Sequence, residues 1–170
     1  MFHLGDHVLY ASHGVCTVIA IETMKLGKTR GNYYCLQPVN QPDSRFYVPV
    51  DNEAALAKLR PLMSREALLE LLHAEQVRQE NWIPEDNLRK LRYRELISSG
   101  DRAAMLNMIF CIYRHKEALA LEGKRLHQCD EGFLHDAQRL LSSEFSVAFS
   151  LKADQVGPFI RDELNCTDWT

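Results

Sequence analysis

At 170 residues the chain suits one mid-sized domain or two small ones. A hydrophobic fraction of 46% with 25% charged residues is ordinary for a globular protein, and no apolar run approaches the length of a membrane span. The net charge of −3 excludes a bulk polycation, so any contact with nucleic acid has to come from a local patch or from recruitment by a protein already on the DNA. The opening MFHLGDH does not read as a signal peptide. The five cysteines are widely spaced with no CxxC pair, which predicts reduced thiols in a cytosol.

Residues 1–62 predict a small β domain. Strand candidates fall at 7–10, 15–21, 33–36 and 45–50, rich in β-branched and aromatic residues. Turn chemistry separates them: Ser12-His13-Gly14, then residues 27–31 with a glycine at each end, then residues 40–44 around Pro42. Short strands with tight turns predict a partly open barrel, a common way to hide sheet edges. The expected edge is RFYVPV at 45–50, because Pro49 has no N–H for a ladder hydrogen bond. An exposed edge can accept a strand from another chain.

After Leu62 the hydrophobic period lengthens from two to between three and four, and residues 63–170 predict a compact all-α domain. Ser64 can cap a helix to about residue 75, with Leu68, Leu71 and Leu72 on one side. Residues 76–81 are polar and read as a short connection. The next helix spans about 84–97, with Leu88, Leu91 and Glu95 on one side and Arg89, Lys90 and Arg92 spread over the other. Ser99-Gly100 ends it, and Asp101 can cap a helix over 102–121 with Leu106, Ile109, Phe110 and Tyr113 at core spacing. Asp130 can cap a further helix bearing Leu134, Ala137, Leu140, Leu141, Phe145 and Ala148. A last helix around 155–164 offers Val156, Phe159 and Ile160, and residues 165–170 form a loosely held tail. Each part is small for a stable core of its own.

No stretch carries the residues that catalysis requires. There is no GxSxG, no Walker loop, no GxGxxG and no HExxH, and no nucleophile stands beside a base. The scattered histidines have no metal-ligand spacing: His3 and His7 lie four apart, but in a region that reads as strand. The expectation is a non-enzyme with no cofactor, no metal and no small-molecule substrate.

The most informative stretch is 81–101, NWIPEDNLRKLRYRELISSGD. Pro84 suits a helix start, and Glu85 and Asp86 suit the positive end of its dipole. Arg89, Lys90, Arg92 and Arg94 follow within six residues with no acid among them. Trp82 just ahead of such a cluster supplies an apolar wedge beside cations, the chemistry of a minor-groove contact. Alternatively, Trp82 packs inside the protein and the cations are a solvated helix face.

The ordered series F-x-x-G-D-x-V-x-Y-x-x-H-G-V at 2–15, IAIE at 19–22, Tyr33-Tyr34, YVPV at 47–50 and Leu59-Arg60 resembles the CarD/CdnL family of bacterial transcription regulators. The likeness continues through Asn81-Trp82, the basic cluster and SGD at 99–101. GKRL at 123–126, Asp130-Glu131 and SSEFSVAF at 142–149 resemble versions of the family from low-GC Gram-positive bacteria.

The resemblance implies an α+β chain. An N-terminal Tudor-like, SH3-like small β-barrel (1–62) docks on the RNA polymerase β subunit, and a compact helical domain (63–170) touches promoter DNA at the upstream edge of the melted bubble. It places Trp82 in the minor groove, makes Arg89, Lys90, Arg92 and Arg94 the candidates for DNA-backbone contact, and makes Arg45, Phe46, Tyr47, Val48 and Pro49 the polymerase-facing strand. It implies a cytoplasmic bacterial protein, drawn to the nucleoid through polymerase, with no membrane partner. Two features depart from the family pattern. Ile83-Pro84-Glu85-Asp86 separate Trp82 from its basic residues, and Tyr47 stands where an arginine is common, with Arg45 two positions earlier on the same strand face. The rival expectation is an interaction module that binds polymerase or another partner and leaves DNA alone.

Overall fold

The computed structural model describes residues 1–10 and 13–164, with backbone only at Arg161 and Leu164. Ser12 of the expected first turn, the expected tail at 165–170, Cys166 and Trp169 lie outside the described residues. The chain divides between Leu62 and Met63 into two compact units.

The first unit is an antiparallel sheet of β1 (His7–Tyr10), β2 (Gly14–Leu26), β3 (Thr29–Pro38), β4 (Phe46–Pro49) and β5 (Leu59–Pro61), in the order β4-β3-β2-β1-β5. The central strands run longer than their β-branched cores predict. β2 continues to Leu26 and β3 starts at Thr29, because Gly27, at a left-handed φ of +64°, permits a two-residue turn where a five-residue break was expected. Alternation then decides the core. Val8, Cys16, Val18, Tyr34, Leu36, Val48 and Leu59 are buried on one face, and α1 (Glu53–Leu56), capped by the Asn52 side chain, adds Ala55 and Leu56 to it. The sheet has two ends. The end strands β4 and β5 are only 4 and 3 residues long and are not neighbours in the sheet, so the sheet is not closed.

The second unit holds α2 (Arg65–His73), a 3-10 turn at Glu75–Arg78, α3 (Asp86–Ser99), α4 (Arg102–Leu121), α5 (Gln128–Phe149) and α6 (Ala153–Leu164). None of the described helices is long and apolar enough to cross a membrane. Ser64 accepts the Ala67 N–H and Asp101 the Ala104 N–H, as their cap chemistry predicts. Gly100 ends α3 at φ +66°, a conformation that costs glycine little. Two helix starts differ from expectation. Glu85 rather than Pro84 opens α3, accepting the Leu88 N–H. His127 rather than Asp130 opens α5, and Asp130 is buried in its first turn. The core runs through Leu68, Leu72, Leu106, Ile109, Ile112, Leu134, Leu141, Phe145, Val156 and Ile160. Each fully buried aliphatic side chain of this kind contributes about 1.5–3 kcal/mol.

The buried face of α3 is the reverse of its leucine pattern. Arg89 and Tyr93 are buried, whereas Leu88 and Leu91 are 43% and 53% exposed. A second buried acid, Glu144 of α5, receives Arg102 at 2.6 and 2.8 Å and the Met63 backbone N–H at 2.9 Å. That acid ties the first residue of the unit to α4 and α5.

Candidate functional site

Two places carry the residues singled out by sequence, one in each unit. In the second unit, residues 79–84 run as an extended strap over α4. Asn107, Cys111 and His115 are four apart, so they line one face of that helix. Asn107 Nδ2 donates to the carbonyls of Val77 (3.1 Å) and Gln79 (2.7 Å). The Cys111 thiol donates to the Gln79 carbonyl at 3.5 Å and accepts the Asn81 N–H at 3.3 Å. Burial pushes the Cys111 thiol pKa up, so it stays protonated and serves as a donor. The third member, His115, stacks on Trp82 with ring centroids 3.8 Å apart and planes 16° from parallel. What the sequence presents as a polar connection is therefore anchored along its length.

Trp82 is half-buried and packs against the helical core. Arg89 lies 4.5 Å from the indole centroid. Its guanidinium is committed elsewhere as well: to both carboxylate oxygens of Asp130 at 2.9 Å, to Asp86 at 2.8 Å and to the Ile83 carbonyl at 2.9 Å. At 3% exposure Arg89 is not a phosphate-facing cation. It joins the base of α3 to the start of α5 and pins the strap behind Trp82. The Arg89 guanidinium holds the Asp86 carboxyl below the usual range, while burial and then Arg89 push the His115 imidazole down.

The other three cations are on the surface of α3. Arg92 and Arg94 are exposed and Lys90 is half-buried. Helical spacing puts Lys90 and Arg94 on one side and Arg92 on the other. Arg92 pairs with Glu95 at 3.0 Å and shares a groove with Asn81 and Ile83 of the strap. Lys90 and Arg94 make no ion pair among the described residues. A trough of about 330 Å³ on the other flank of Trp82 is lined in part by His115, Arg125 and His127. These three residues have no local sequence signal, because they reach the indole only through the packing of α4 and α5.

In the first unit, β4 ends the sheet. The Val50 N–H bonds to the Asn32 carbonyl at 2.9 Å, and Val48 stands opposite Tyr34 in the same register. The N–H groups of Phe46 and Val48 therefore point toward β3, while positions 47 and 49 point to the free side. Pro49 has no N–H, so Tyr47 supplies the only strand N–H there, alongside the carbonyls of Tyr47 and Pro49.

The five residues expected to face polymerase divide by the same alternation. Val48 is 2% exposed in the core. Phe46 turns inward and packs on His13 and Tyr10, with centroids 4.2 and 5.6 Å apart. Neither side chain faces outward. Tyr47 is exposed, Pro49 is half-buried, and Arg45 is exposed just before the strand, donating to the carbonyls of Pro42 and Ser44.

Among the described residues no group of three or more His, Cys, Asp or Glu side chains converges as a metal site. Comparison with protein families matches residues 2–63 to the model of the CarD-like/TRCF RID domain. Comparison with curated proteins finds no match.

Proposed function

We propose, for a chain whose residues 2–63 belong to the CarD-like/TRCF RID domain family, that it is a non-catalytic regulator of transcription initiation held on RNA polymerase by its sheet. The family match is the observation that carries this reading. The contact is with the polymerase β subunit and uses the free side of β4: strand addition at Tyr47, with Arg45 and the Tyr47 ring beside it. The open five-stranded sheet is compatible with a Tudor-like, SH3-like module whose ends lie apart. A cytoplasmic protein brought to the nucleoid by polymerase is the corresponding setting.

The helical unit then meets promoter DNA at the upstream edge of the bubble. Support comes from a half-exposed indole on a fixed mount, ahead of a helix that shows Lys90, Arg92 and Arg94 on its surface. If Trp82 touches DNA only after melting, its differential binding alone lengthens the life of the open complex. Trp82→Ala is expected to shorten that lifetime by roughly five- to 150-fold, the equivalent of about 1–3 kcal/mol of base–aromatic stacking. Retention on polymerase should not change. An unchanged lifetime in a folded variant removes DNA from the mechanism.

One observation favours a second reading, in which the chain binds polymerase and leaves DNA alone: Trp82 already packs on the helical core and on His115. Under that reading Trp82→Ala lowers the melting temperature and leaves the lifetime intact.

A further inference from the structure

The contact between Trp82 and His115 is more specific than packing requires. A core needs apolar volume at this position, which a leucine on α4 would supply. Instead a flat ring lies 3.8 Å from the indole, 16° from parallel. The two residues on the same face of α4, Asn107 and Cys111, hold the backbone that leads into the indole. One helix face thus fixes the chain up to Asn81 and then the side chain at Trp82. His115 is itself half-buried, and it lines with the indole both the trough it shares with His127 and a second one, of about 280 Å³, shared with Glu80 and Arg114.

We infer that His115 is a positioning residue for Trp82: its ring holds the indole in the one orientation that meets melted promoter DNA. The inference rests on the DNA-contacting reading above. A free tryptophan side chain loses rotamer freedom when it docks, which weakens binding. An indole already stacked on a fixed ring has lost that freedom before DNA arrives. His115 therefore acts through Trp82, and the property that matters is the planar ring rather than the imidazole proton.

The test uses the full chain with polymerase and a promoter, reading open-complex lifetime and polymerase retention side by side. His115→Ala is expected to shorten the lifetime roughly two- to tenfold, the range of an aromatic pair, with retention unchanged. His115→Gln, which keeps polarity and bulk without a ring, should do the same and stands in if the alanine variant unfolds. His115→Phe should restore most of the lifetime, a rescue that loss of stability alone does not explain. In a Trp82→Ala background, His115→Ala should have no further effect.

A wild-type lifetime in folded His115→Gln, with Trp82→Ala impaired, overturns the positioning role and leaves the DNA reading standing. Additive losses in the double variant also overturn it, because His115 would then touch DNA on its own account. A silent Trp82→Ala overturns both.

Discussion

Arg89 and Asp130 are separated by 41 positions in sequence and joined by two hydrogen bonds of 2.9 Å, with both side chains almost fully buried. Two charges out of water are costly singly and tolerable together. Arg89→Ala is therefore expected to destabilise the helical unit by about 3–5 kcal/mol, because Asp130 is left charged and buried. The apolar double replacement, Arg89→Met with Asp130→Leu, should cost less than either single change. Urea unfolding of the full chain measures both, and a loss under about 1 kcal/mol for Arg89→Ala would put the pair in the class of surface ion pairs.

The same residue shows what sequence cannot express. A basic cluster after a tryptophan reads as a cationic surface, and three of its four members are on the surface. The fourth turns inward because an acid on α5 waits for it. Hydrophobic periodicity is blind to that partner, since both members score as polar. Leu88 and Leu91 are exposed for the complementary reason: the face of α3 that packs is occupied by Arg89 and Tyr93.

Short-range chemistry was far more legible at the level of elements. The caps at Ser64 and Asp101, the glycine stop at residue 100 and the edge position of the proline-bearing strand each depend on residues within a few positions. The strap over α4 was not legible, because its anchors Asn107, Cys111 and His115 lie about thirty residues downstream. The edge strand also makes a sharp prediction. If polymerase is held by main-chain pairing, the N–H of Tyr47 is the donor that matters, since Pro49 offers none. Tyr47→Pro removes that donor on the side away from β3, where proline is tolerated. It should abolish retention on the polymerase β subunit in a pull-down while the far-ultraviolet circular dichroism stays that of the parent. Tyr47→Ala keeps the donor and should lose roughly tenfold or less, as expected for a partly exposed interface side chain. The opposite order of effects would mean that the tyrosine ring, not the backbone, holds the partner.

At the scale of the whole molecule, the proposed DNA contact would set an acidic chain of net charge −3 against a polyanion. The conflict is resolved if polymerase does the recruiting. A flexible or short tether gives an effective concentration of about a millimolar, so a DNA affinity as weak as about 10⁻⁴ M still fills the site most of the time. Binding to bare promoter duplex at micromolar protein should accordingly be undetectable in an electrophoretic shift at physiological salt. The proposal also limits the salt dependence. Lys90, Arg92 and Arg94 are the cations on the surface of α3, and each phosphate neutralised contributes a slope of about −0.9 in log affinity against log salt. The ratio of open-complex lifetimes with and without the protein should therefore fall with a slope no steeper than about −3. Neutralising Arg94 should make it shallower by about one unit without altering retention on polymerase. A slope near −6 would show that cations beyond α3, with Arg125 beside the indole the first to examine, carry the contact with the DNA backbone.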